Sequence, residues 1–460
     1  MLMARATRRG TALVASETLL ILGAVVLMWY LRLDPSPGGA LTPLLLKALL
    51  ITVVCQLCLY SRDLYERQLS ADRQDLVVRL LQGLGVTSIV LAIIYSWFPG
   101  LVIGPGVFAG TIALVALVLA PWRVALGWAT TRFGLHERLL VVGTNTAALT
   151  LAAELWDRHE LGVEIVGFVE PEGVRSADQA PMMPGVIGTI EDIPAIVRAR
   201  SVDRVVVSLA DARGKLPMDK LLEMKIDGVQ FAHLASVYEE YTGRIAVENL
   251  RPSWLIFSSG FHKTRVLSLG KRLIDLAAAT LGFFLSLPLQ IAVAIAVKAT
   301  SRGPVLYSQR RVGRDGHIFV MYKFRSMRQD AEAKTGAVWA RVGDARVTPI
   351  GRFLRRMRLD ELPQLWNVLI GEMSLVGPRP ERPEFVSDLT RNIPFYGQRH
   401  AVKPGLTGWA QVRYTYGAST EDAMRKLQYD LFYIKHLSIW LDISIILRTV
   451  KIVLLGRGAC

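Results

Sequence analysis

The stretch RRMRLDELPQ, residues 355–364, decides how the second half of the chain folds. Two adjacent carboxylates, Asp360 and Glu361, follow three arginines and precede a proline. Asp360 is predicted as the N-cap of a helix, with Pro363 in the first turn and Gly371 at the end. The N-terminus of that helix would present free backbone N–H groups to a phosphate.

The charges around this stretch indicate phosphate chemistry. Arginine forks match phosphate oxygens, and nearby positive charge is expected to lower the pKa of Asp360 so that it stays ionised. An ionised aspartate suits a nucleophile toward phosphorus or a ligand of Mg²⁺. The alternative is an ordinary N-cap within a solvated charge cluster, and the decamer alone leaves both interpretations open.

The composition indicates a membrane protein with soluble parts. Of the 460 residues, 52% are hydrophobic, and the formal net charge is +15. The length allows roughly three domains, and the apolar fraction exceeds that of ordinary soluble proteins. The positive charge suits a cytoplasmic surface against anionic lipid, or an anionic substrate. We expect no nucleic-acid partner, because zinc spacings, basic zippers and RNP-like aromatic patterns are missing from the sequence.

The cysteines indicate no disulfide framework. Cys55 and Cys58 lie in an apolar run, and Cys460 is the last residue. Neither a histidine nor a second pair accompanies the C-x-x-C spacing, so we expect no redox or zinc role. This usage agrees with a reducing cytoplasm around the soluble parts.

Four apolar runs predict a transmembrane bundle over residues 1–130, since each run is near the ~20 residues of a spanning helix. The runs are 11–31, 41–60, 80–98 and 103–120. The first is expected to be a retained span, because no signal-peptide cleavage site follows it. By the positive-inside rule both ends of the bundle face the cytoplasm. The arginines behind this assignment are Arg5, Arg8, Arg9, Arg62, Arg67, Arg73, Arg79, Arg123, Arg132 and Arg138. Glu17 and Lys47 lie near span ends, so we expect them to snorkel and assign them no role.

Strands and helices alternate over residues 137–250, which predicts a parallel, doubly wound, Rossmann-like sheet. The first strand ends at Gly143, and Asn145 replaces the second glycine of the dinucleotide fingerprint. We therefore expect a regulatory or dimerising module, followed by a linker around residues 251–268. A degenerate sugar epimerase is not favoured, because Tyr238 and Tyr241 lack a lysine at the required spacing.

The apolar run 276–297 is long enough to span a membrane and contains Pro288, which tends to kink a helix. Basic residues flank both ends, which fits a re-entrant helix over about residues 272–298; a kinked fifth span is the alternative. Arg379 lies between two prolines, which suits either an anion-gripping arginine or a rigid turn. Residues 438–455 are predicted as an amphipathic helix, lying either on the membrane or against the core.

Seven blocks between residues 267 and 456 together resemble the monotopic phosphoglycosyl transferases. These bacterial enzymes load a hexose-1-phosphate onto polyprenyl phosphate. The blocks are KRxxD (271–275), GP (303–304), QxRxG (309–313), KFRSM (323–327), DELPQ (360–364), GPRP (377–380) and PGLTGWAQ (404–411). The four spans and the Rossmann-like module resemble the large, undecaprenyl-phosphate-using branch that primes exopolysaccharide or O-antigen synthesis. Ser326, Glu372 and Leu287 depart from the residues common in this family.

The resemblance implies a membrane α plus α/β fold, with a catalytic domain over residues 266–460 at the cytoplasmic face of the bacterial inner membrane. It implies that Asp360 attacks the β-phosphate of a UDP-sugar, that UMP leaves, and that undecaprenyl phosphate then takes the phosphosugar. Mg²⁺ is the implied cofactor, with Asp360 and Glu361 as its ligands; Glu361 is alternatively a base. The implied phosphate-binding residues are Arg355, Arg379, Lys323, Arg325, Gln309 and Arg311.

The sequence leaves the sugar unassigned, because specificity rests on a few hydroxyl contacts. We expect a homodimer. The competing hypothesis is a membrane-anchored scaffold without catalysis, whose Rossmann-like module senses a nucleotide.

Overall fold

The structure is a computed structural model. It describes residues 2–32, 41–61, 73–103, 105–132, 137–156, 163–170, 185–208, 218–247, 258–329, 331, 344, 346–414, 417 and 419–454. The chain divides into two compact units, Met1–Tyr241 and Thr242–Cys460. Arg62, Arg67, Cys460 and residues 251–257 of the predicted linker lie outside the described residues.

The first unit begins with four α-helices at the four predicted apolar runs: α1 (Leu2–Arg32), α2 (Leu41–Ser61), α3 (Arg73–Trp97) and α4 (Pro105–Arg132). By length and composition, stretches of α1, α3 and α4 could cross a membrane: Leu13–Leu31, Leu76–Trp97 and Gly106–Leu126. The apolar stretch of α2, Leu44–Tyr60, is shorter. Leucines point outward on all four helices, as expected of helices surrounded by lipid.

A buried ion pair joins the first and last of these helices. Nε and Nη2 of Arg123 donate to the two carboxylate oxygens of Glu17 at 2.7 and 2.9 Å. The Glu17 side chain is fully buried, so the expectation that it snorkels is wrong. A charge inside an apolar bundle is costly unless it is paired, and Arg123 supplies the partner. The side chain of Lys47 does reach the segment between α3 and α4, where its Nζ donates to the carbonyl of Val102.

A five-stranded parallel sheet follows the bundle. Its strands are β1 (Glu137–Val142), β2 (Val163–Glu170), β3 (Val186–Thr189), β4 (Arg204–Val207) and β5 (Gln230–His233). They alternate with α5 (Thr146–Trp156), α6 (Ile193–Arg200), α7 (Met218–Ile226) and α8 (Leu234–Thr242). The order is β3-β2-β1-β4-β5, and every pairing is parallel. The predicted doubly wound sheet is confirmed, and its strand order reverses between β1 and β4.

The second unit contains one long apolar helix, α9 (Arg265–Thr300), which is also apolar enough to cross a membrane. It includes Pro288 without interruption of the helix. Its length of about 54 Å exceeds the ~30 Å thickness of a bilayer's hydrocarbon core. The re-entrant course of this helix stays a prediction.

The rest of the second unit is built from short elements. The strands are β6 (Leu306–Val312), β7 (Ile318–Phe324), β8 (Ser374–Val376) and β9 (Gly405–Thr407). The helices are α10 (Pro349–Arg356), α11 (Gln364–Ile370), α12 (Pro383–Asn392), α13 (Trp409–Arg413), α14 (Thr420–Lys435) and α15 (Ile439–Leu454). β6 and β7 form an antiparallel hairpin, and β8 pairs with β9 in parallel.

The core of the second unit lies around α14. Leu427, Phe432 and Ile445 are almost fully buried there, together with Ile245 and Val247. The last two residues thus pack in this unit rather than in the module that was predicted to run to residue 250. The N–H of Ile245 donates to the carbonyl of Gln428 on α14, which attaches Ile245 to the core of the second unit.

α15 packs against the core with one face, and the membrane contact of its other face stays a prediction. Ile445 is buried in the core, whereas the Trp440 side chain on the other face is 73% exposed.

Candidate active site

The carboxylate pair lies on one turn of 3-10 helix, Leu359–Glu361. Arg358 precedes the turn in the left-handed conformation (φ 53°), which redirects the chain after α10. The N–H of Glu361 donates to the carbonyl of Arg358 at 3.2 Å. That donor is therefore satisfied inside the turn and is not free for a phosphate.

The helix α11 begins only at Gln364, and Pro363 is its cap residue. The prediction that Asp360 caps this helix is wrong, because the left-handed residue before it starts a separate turn. The predicted end of the helix is confirmed: Gly371 adopts φ 92°, the left-handed conformation that favours glycine.

Three cations contact the carboxylate of Glu361. Nη2 of Arg379 lies 3.0 Å from Oε1, Nζ of Lys323 lies 3.4 Å from Oε1, and Nη1 of Arg358 lies 3.4 Å from Oε2. Burial alone would raise the pKa of Glu361, but these three cations hold it well below the usual range of a glutamate. Glu361 is therefore ionised and fully engaged with positive charge.

Asp360 has the opposite environment. Its side chain is buried, and no described residue donates a hydrogen bond to its carboxylate. Burial is the main cause that raises the pKa of Asp360, and the negative charge of Glu361 adds to it. Lys323, Arg355 and Arg379 lower it only in part. The expectation that neighbouring arginines lower the pKa of Asp360 is thus wrong in direction, because Glu361 takes the closest cations.

Two predicted phosphate-binding residues lie beside the pair on different elements. Lys323 comes from β7, where burial lowers its pKa although Glu361 raises it. Arg355 comes from α10, and its Nε donates to Oγ of Ser326 at 2.9 Å. Gly351 lets α10 approach closely, since a Cβ there would collide with the backbone of Ser326.

The loop that carries Arg379 is held through four consecutive carbonyls. The N–H groups of Gly405 and Val312 donate to the carbonyls of Pro378 and Glu381, each at 2.9 Å. Between these, Nη2 of Arg399 donates to the carbonyl of Arg379 and Nη1 of Arg311 to that of Pro380, each at 3.0 Å. The loop is therefore fixed by its backbone and leaves the Arg379 side chain to reach Glu361.

Gln309 and Arg311 lie two residues apart on β6 and contact each other. Nε of Arg311 donates to Oε1 of Gln309 at 3.1 Å. Burial lowers the pKa of Arg311 to about 10, and Glu381 offsets part of that effect. In the structure Arg311 contacts the Arg379 loop directly, and Gln309 contacts Arg311.

Arg325 is engaged elsewhere. Its Nη1 donates to the carbonyl of Arg302 at 2.7 Å, and its Nη2 donates to the carbonyl of Ser301 at 2.9 Å. The guanidinium therefore satisfies carbonyls just after the end of α9. The structure does not bring it together with the carboxylate pair.

Asn367 is a supporting residue that sequence reasoning missed. It is fully buried; its Nδ2 donates to the carbonyl of Val320 and its Oδ1 accepts from the N–H of Tyr322. It thereby ties α11 to β7, the strand that carries Lys323. The only signal was an amide in the middle of an apolar helix pattern.

The block KRxxD is also structural. Arg272 donates to the carbonyls of Val368 and Leu369 at the end of α11. Oδ1 of Asp275 accepts from the N–H of Leu375 on β8, the strand that precedes the Arg379 loop. α9 is thus attached to the segments on both sides of Gly371.

The site offers a divalent cation one unengaged carboxylate rather than a complete set of protein ligands. Among the described residues, no group of three or more histidine, cysteine or acidic side chains could hold a metal. Mg²⁺ usually binds through one or two carboxylates together with substrate phosphates. The unengaged oxygens of Asp360 fit that pattern, whereas Glu361 is already surrounded by cations.

Fold and site together define a membrane-associated α/β protein whose buried carboxylate pair lies among cations suited to phosphate. A family model described as bacterial sugar transferase matches residues 266–456. A second model, described as a CoA-binding domain, matches residues 60–220.

Curated relatives give the same assignment. The chain is 43% identical over 227 residues to the UDP-N-acetylgalactosamine-undecaprenyl-phosphate N-acetylgalactosaminephosphotransferase of Aeromonas hydrophila, covering 49% of this chain and 53% of that protein. It is 36% identical to the undecaprenyl-phosphate glucose phosphotransferase of Komagataeibacter xylinus, covering 71% of this chain and 60% of that protein. It is 35% identical to the UDP-glucose:undecaprenyl-phosphate glucose-1-phosphate transferase of Escherichia coli K12, covering 71% and 70%.

The chain therefore belongs to the bacterial sugar transferase family, and the resemblance predicted from the seven blocks is confirmed. It spans between half and two thirds of the length of the relatives from A. hydrophila and K. xylinus. The apolar helices and the lipid-linked substrates in the relatives' names make it a membrane protein.

At the carboxyl ends of β1 and β4, the described residues satisfy one N-terminal donor of α5 within the protein. At the switch point, Oδ1 of Asn145 accepts from the N–H of Ala148 at 2.9 Å and from Oγ of Ser208 at 2.8 Å. This N-terminal donor of α5 is thus used within the protein. The buried Glu170, which accepts from Thr144, adds negative charge at the end of β2.

Proposed function

We propose that the chain transfers a hexose-1-phosphate from a UDP-sugar to undecaprenyl phosphate and releases UMP. The names of the three relatives support the acceptor, and two of them include a UDP-sugar donor. One observation about this chain carries the mechanism: no described residue donates a hydrogen bond to Asp360, while the adjacent Glu361 takes three cations. The unengaged carboxylate is the one free to react.

In the first step, an Oδ atom of Asp360 attacks the β-phosphorus of the UDP-sugar. The bond between this phosphorus and the bridging oxygen breaks, and UMP leaves with the electron pair. The product is a mixed anhydride in which the aspartyl carboxylate carries the sugar phosphate. In the second step, an oxygen of undecaprenyl phosphate attacks the same phosphorus, the Asp360 carboxylate leaves, and a lipid diphosphate sugar forms.

The charges suit this sequence of steps. Three anions meet at the site: the carboxylate, the nucleotide and the lipid phosphate. Arg379, Lys323 and Arg355 supply positive charge where phosphate oxygens would lie. Mg²⁺, when bound with the diphosphate, would neutralise charge that develops on the leaving UMP.

Glu361 acts as the electrostatic organiser of the site. Its pKa is held low by Arg379, Lys323 and Arg358, so it is a poor proton acceptor. We therefore favour its role in holding the cations, with any contact to Mg²⁺ shared with Asp360. The base role is disfavoured for this reason.

The setting is the cytoplasmic face of the bacterial inner membrane. A re-entrant α9 would hold the second unit at the headgroup level, where the phosphate of undecaprenyl phosphate lies. The transfer would be the first membrane step of exopolysaccharide, capsule or O-antigen synthesis, carried out by a homodimer.

A panel of UDP-sugars with the full chain in detergent or nanodiscs tests the proposal. We expect one sugar to give stoichiometric UMP without lipid acceptor, and turnover once undecaprenyl phosphate is added. Asp360→Asn should lose both, whereas Asp388→Asn, a change at an exposed position of α12, should lose neither. Membrane association without UMP from any sugar would instead support a non-catalytic scaffold.

A further inference from the structure

The position of Arg379 depends on a residue that does not touch Glu361. Nη2 of Arg399 donates to the backbone carbonyl of Arg379 at 3.0 Å, while the Arg379 side chain reaches Glu361 at 3.0 Å on the other side. The Arg379 loop has no regular secondary structure. Its geometry therefore depends on the groups that hold its carbonyls.

Arg399 is itself oriented by two partners. Its Nε and Nη2 donate to Oδ2 of Asp430 at 3.1 and 2.8 Å, and its Nη1 donates to the hydroxyl of Tyr396 at 2.8 Å. Asp430 comes from α14, the central helix of the core. The guanidinium thus connects that rigid helix to the backbone of the loop.

The burial of this pair argues against a purely stabilising role. The Arg399 side chain is 5% exposed and that of Asp430 is 2% exposed. Burying two charges costs desolvation, and apolar residues of similar volume are often at least as stable. Fold stability alone thus gives no reason for an ion pair here, whereas contact with the loop does.

We propose that Arg399 and Asp430 are positioning residues that hold Arg379 at the donor's phosphates. The inference rests on the proposed function for the identity of that donor. Neither residue contacts substrate in this arrangement; both act through Arg379. A displacement of about 1 Å at such a contact costs up to 10²-fold in rate.

A double-mutant cycle tests this route. Asp430→Asn should weaken UDP–Mg²⁺ binding and slow UMP release about 10-fold or more in the otherwise unchanged chain. In an Arg379→Ala background the same change should alter either quantity less than about 2-fold, because the residue through which it acts is gone. Equal losses in both backgrounds would overturn the proposal.

Two further variants separate position from stability. Arg399→Lys keeps the charge beside Asp430 but lacks the guanidinium fork that reaches Arg379. It should slow UMP release as much as Asp430→Asn does, with a smaller fall in melting temperature than that variant. Glu240→Gln removes a carboxylate from another partly buried ion pair, with Arg204 at 3.0 Å in the first unit. It should leave UDP affinity unchanged. A loss of affinity there too would make the effect unspecific and contradict the proposal.

The UDP cycle needs no turnover. If the unchanged chain binds UDP but releases no UMP, the proposed transfer fails and the positioning inference is still tested. If turnover is present and the cycle is additive, only the positioning inference fails.

Discussion

Asp360 and Glu361 are neighbours in one helical turn, yet the described cations within contact distance of the pair all contact Glu361. The pair is therefore divided into one carboxylate bound by positive charge and one to which no described residue donates a hydrogen bond. Two equivalent acids would compete for the same arginines. Division of the charges leaves one of them reactive.

The covalent intermediate should form on Asp360 alone. With radiolabelled donor, Asp360→Asn should give no adduct and slow UMP release on the order of 10³-fold or more. Glu361→Gln should still form the adduct, about 10- to 100-fold more slowly, because the cations lose their common partner. Mass spectrometry of the trapped peptide checks this, and a phosphosugar on residue 361 would contradict the assignment.

The acid limb of the pH profile should lie above the ordinary aspartate range of about 3.9. Burial and Glu361 raise the pKa of Asp360, which must be ionised to attack. Arg355→Gln removes a charge that lowers this pKa, so the limb should move to higher pH. Glu361→Gln removes a charge that raises it, so the limb should move to lower pH. UMP release measured against pH would show the two opposite shifts, and shifts of the same sign would exclude Asp360 as the titrating group.

Asp360→Asn should stabilise the fold at neutral pH. A carboxyl whose pKa is raised on folding opposes folding once it is ionised, at pH values above the raised pKa. The gain in melting temperature should shrink as the pH falls and vanish below the ordinary aspartate pKa, where Asp360 is protonated in both states. Thermal unfolding over that range measures it. A gain that does not change with pH would point to packing instead.

Gly351→Ala should be strongly destabilising, because the added methyl group would overlap the backbone of Ser326. We expect a loss of about 1–3 kcal/mol and lower activity, since α10 carries Arg355. Gly397→Ala is the matched control, because nothing lies within 4 Å of a Cβ built there. The measurement is the melting temperature of each variant. Similar values would contradict the prediction, because α10 could then shift without loss of stability.

The course of α9 can be tested by labelling. In a background without native cysteines, single cysteines at Ser268 and Thr300 should both react with a membrane-impermeant reagent from the cytoplasmic side. Pro288→Ala should favour a straight span and move one site across the membrane. Labelling of the two sites from opposite sides in the unchanged sequence would show an ordinary span.

The sequence was informative where a local pattern determines the structure. Apolar runs located α1 to α4, and alternation of strands and helices predicted the parallel sheet. Gly371 ended α11 as predicted because its left-handed conformation is a local preference. Such features depend on a few neighbouring residues.

Long-range contacts were beyond the sequence. Arg325 and Arg355 were both predicted to bind phosphate, but only the path of α9 decides that Arg325 satisfies the carbonyls of Ser301 and Arg302. The pKa of Asp360 likewise depends on which carboxylate takes the cations, and that follows from the left-handed turn at Arg358. No pattern in residues 355–364 specifies this.

The ion pair between Glu17 and Arg123 has a consequence for biogenesis. Glu17 and Arg123 are 106 positions apart in the sequence, and the amino-terminal helix is synthesised first. The ion pair between Glu17 and Arg123 can form only after α4 has been synthesised. The bundle can therefore form this ion pair only after α4 is inserted, and we expect stable insertion of the bundle to depend on α4.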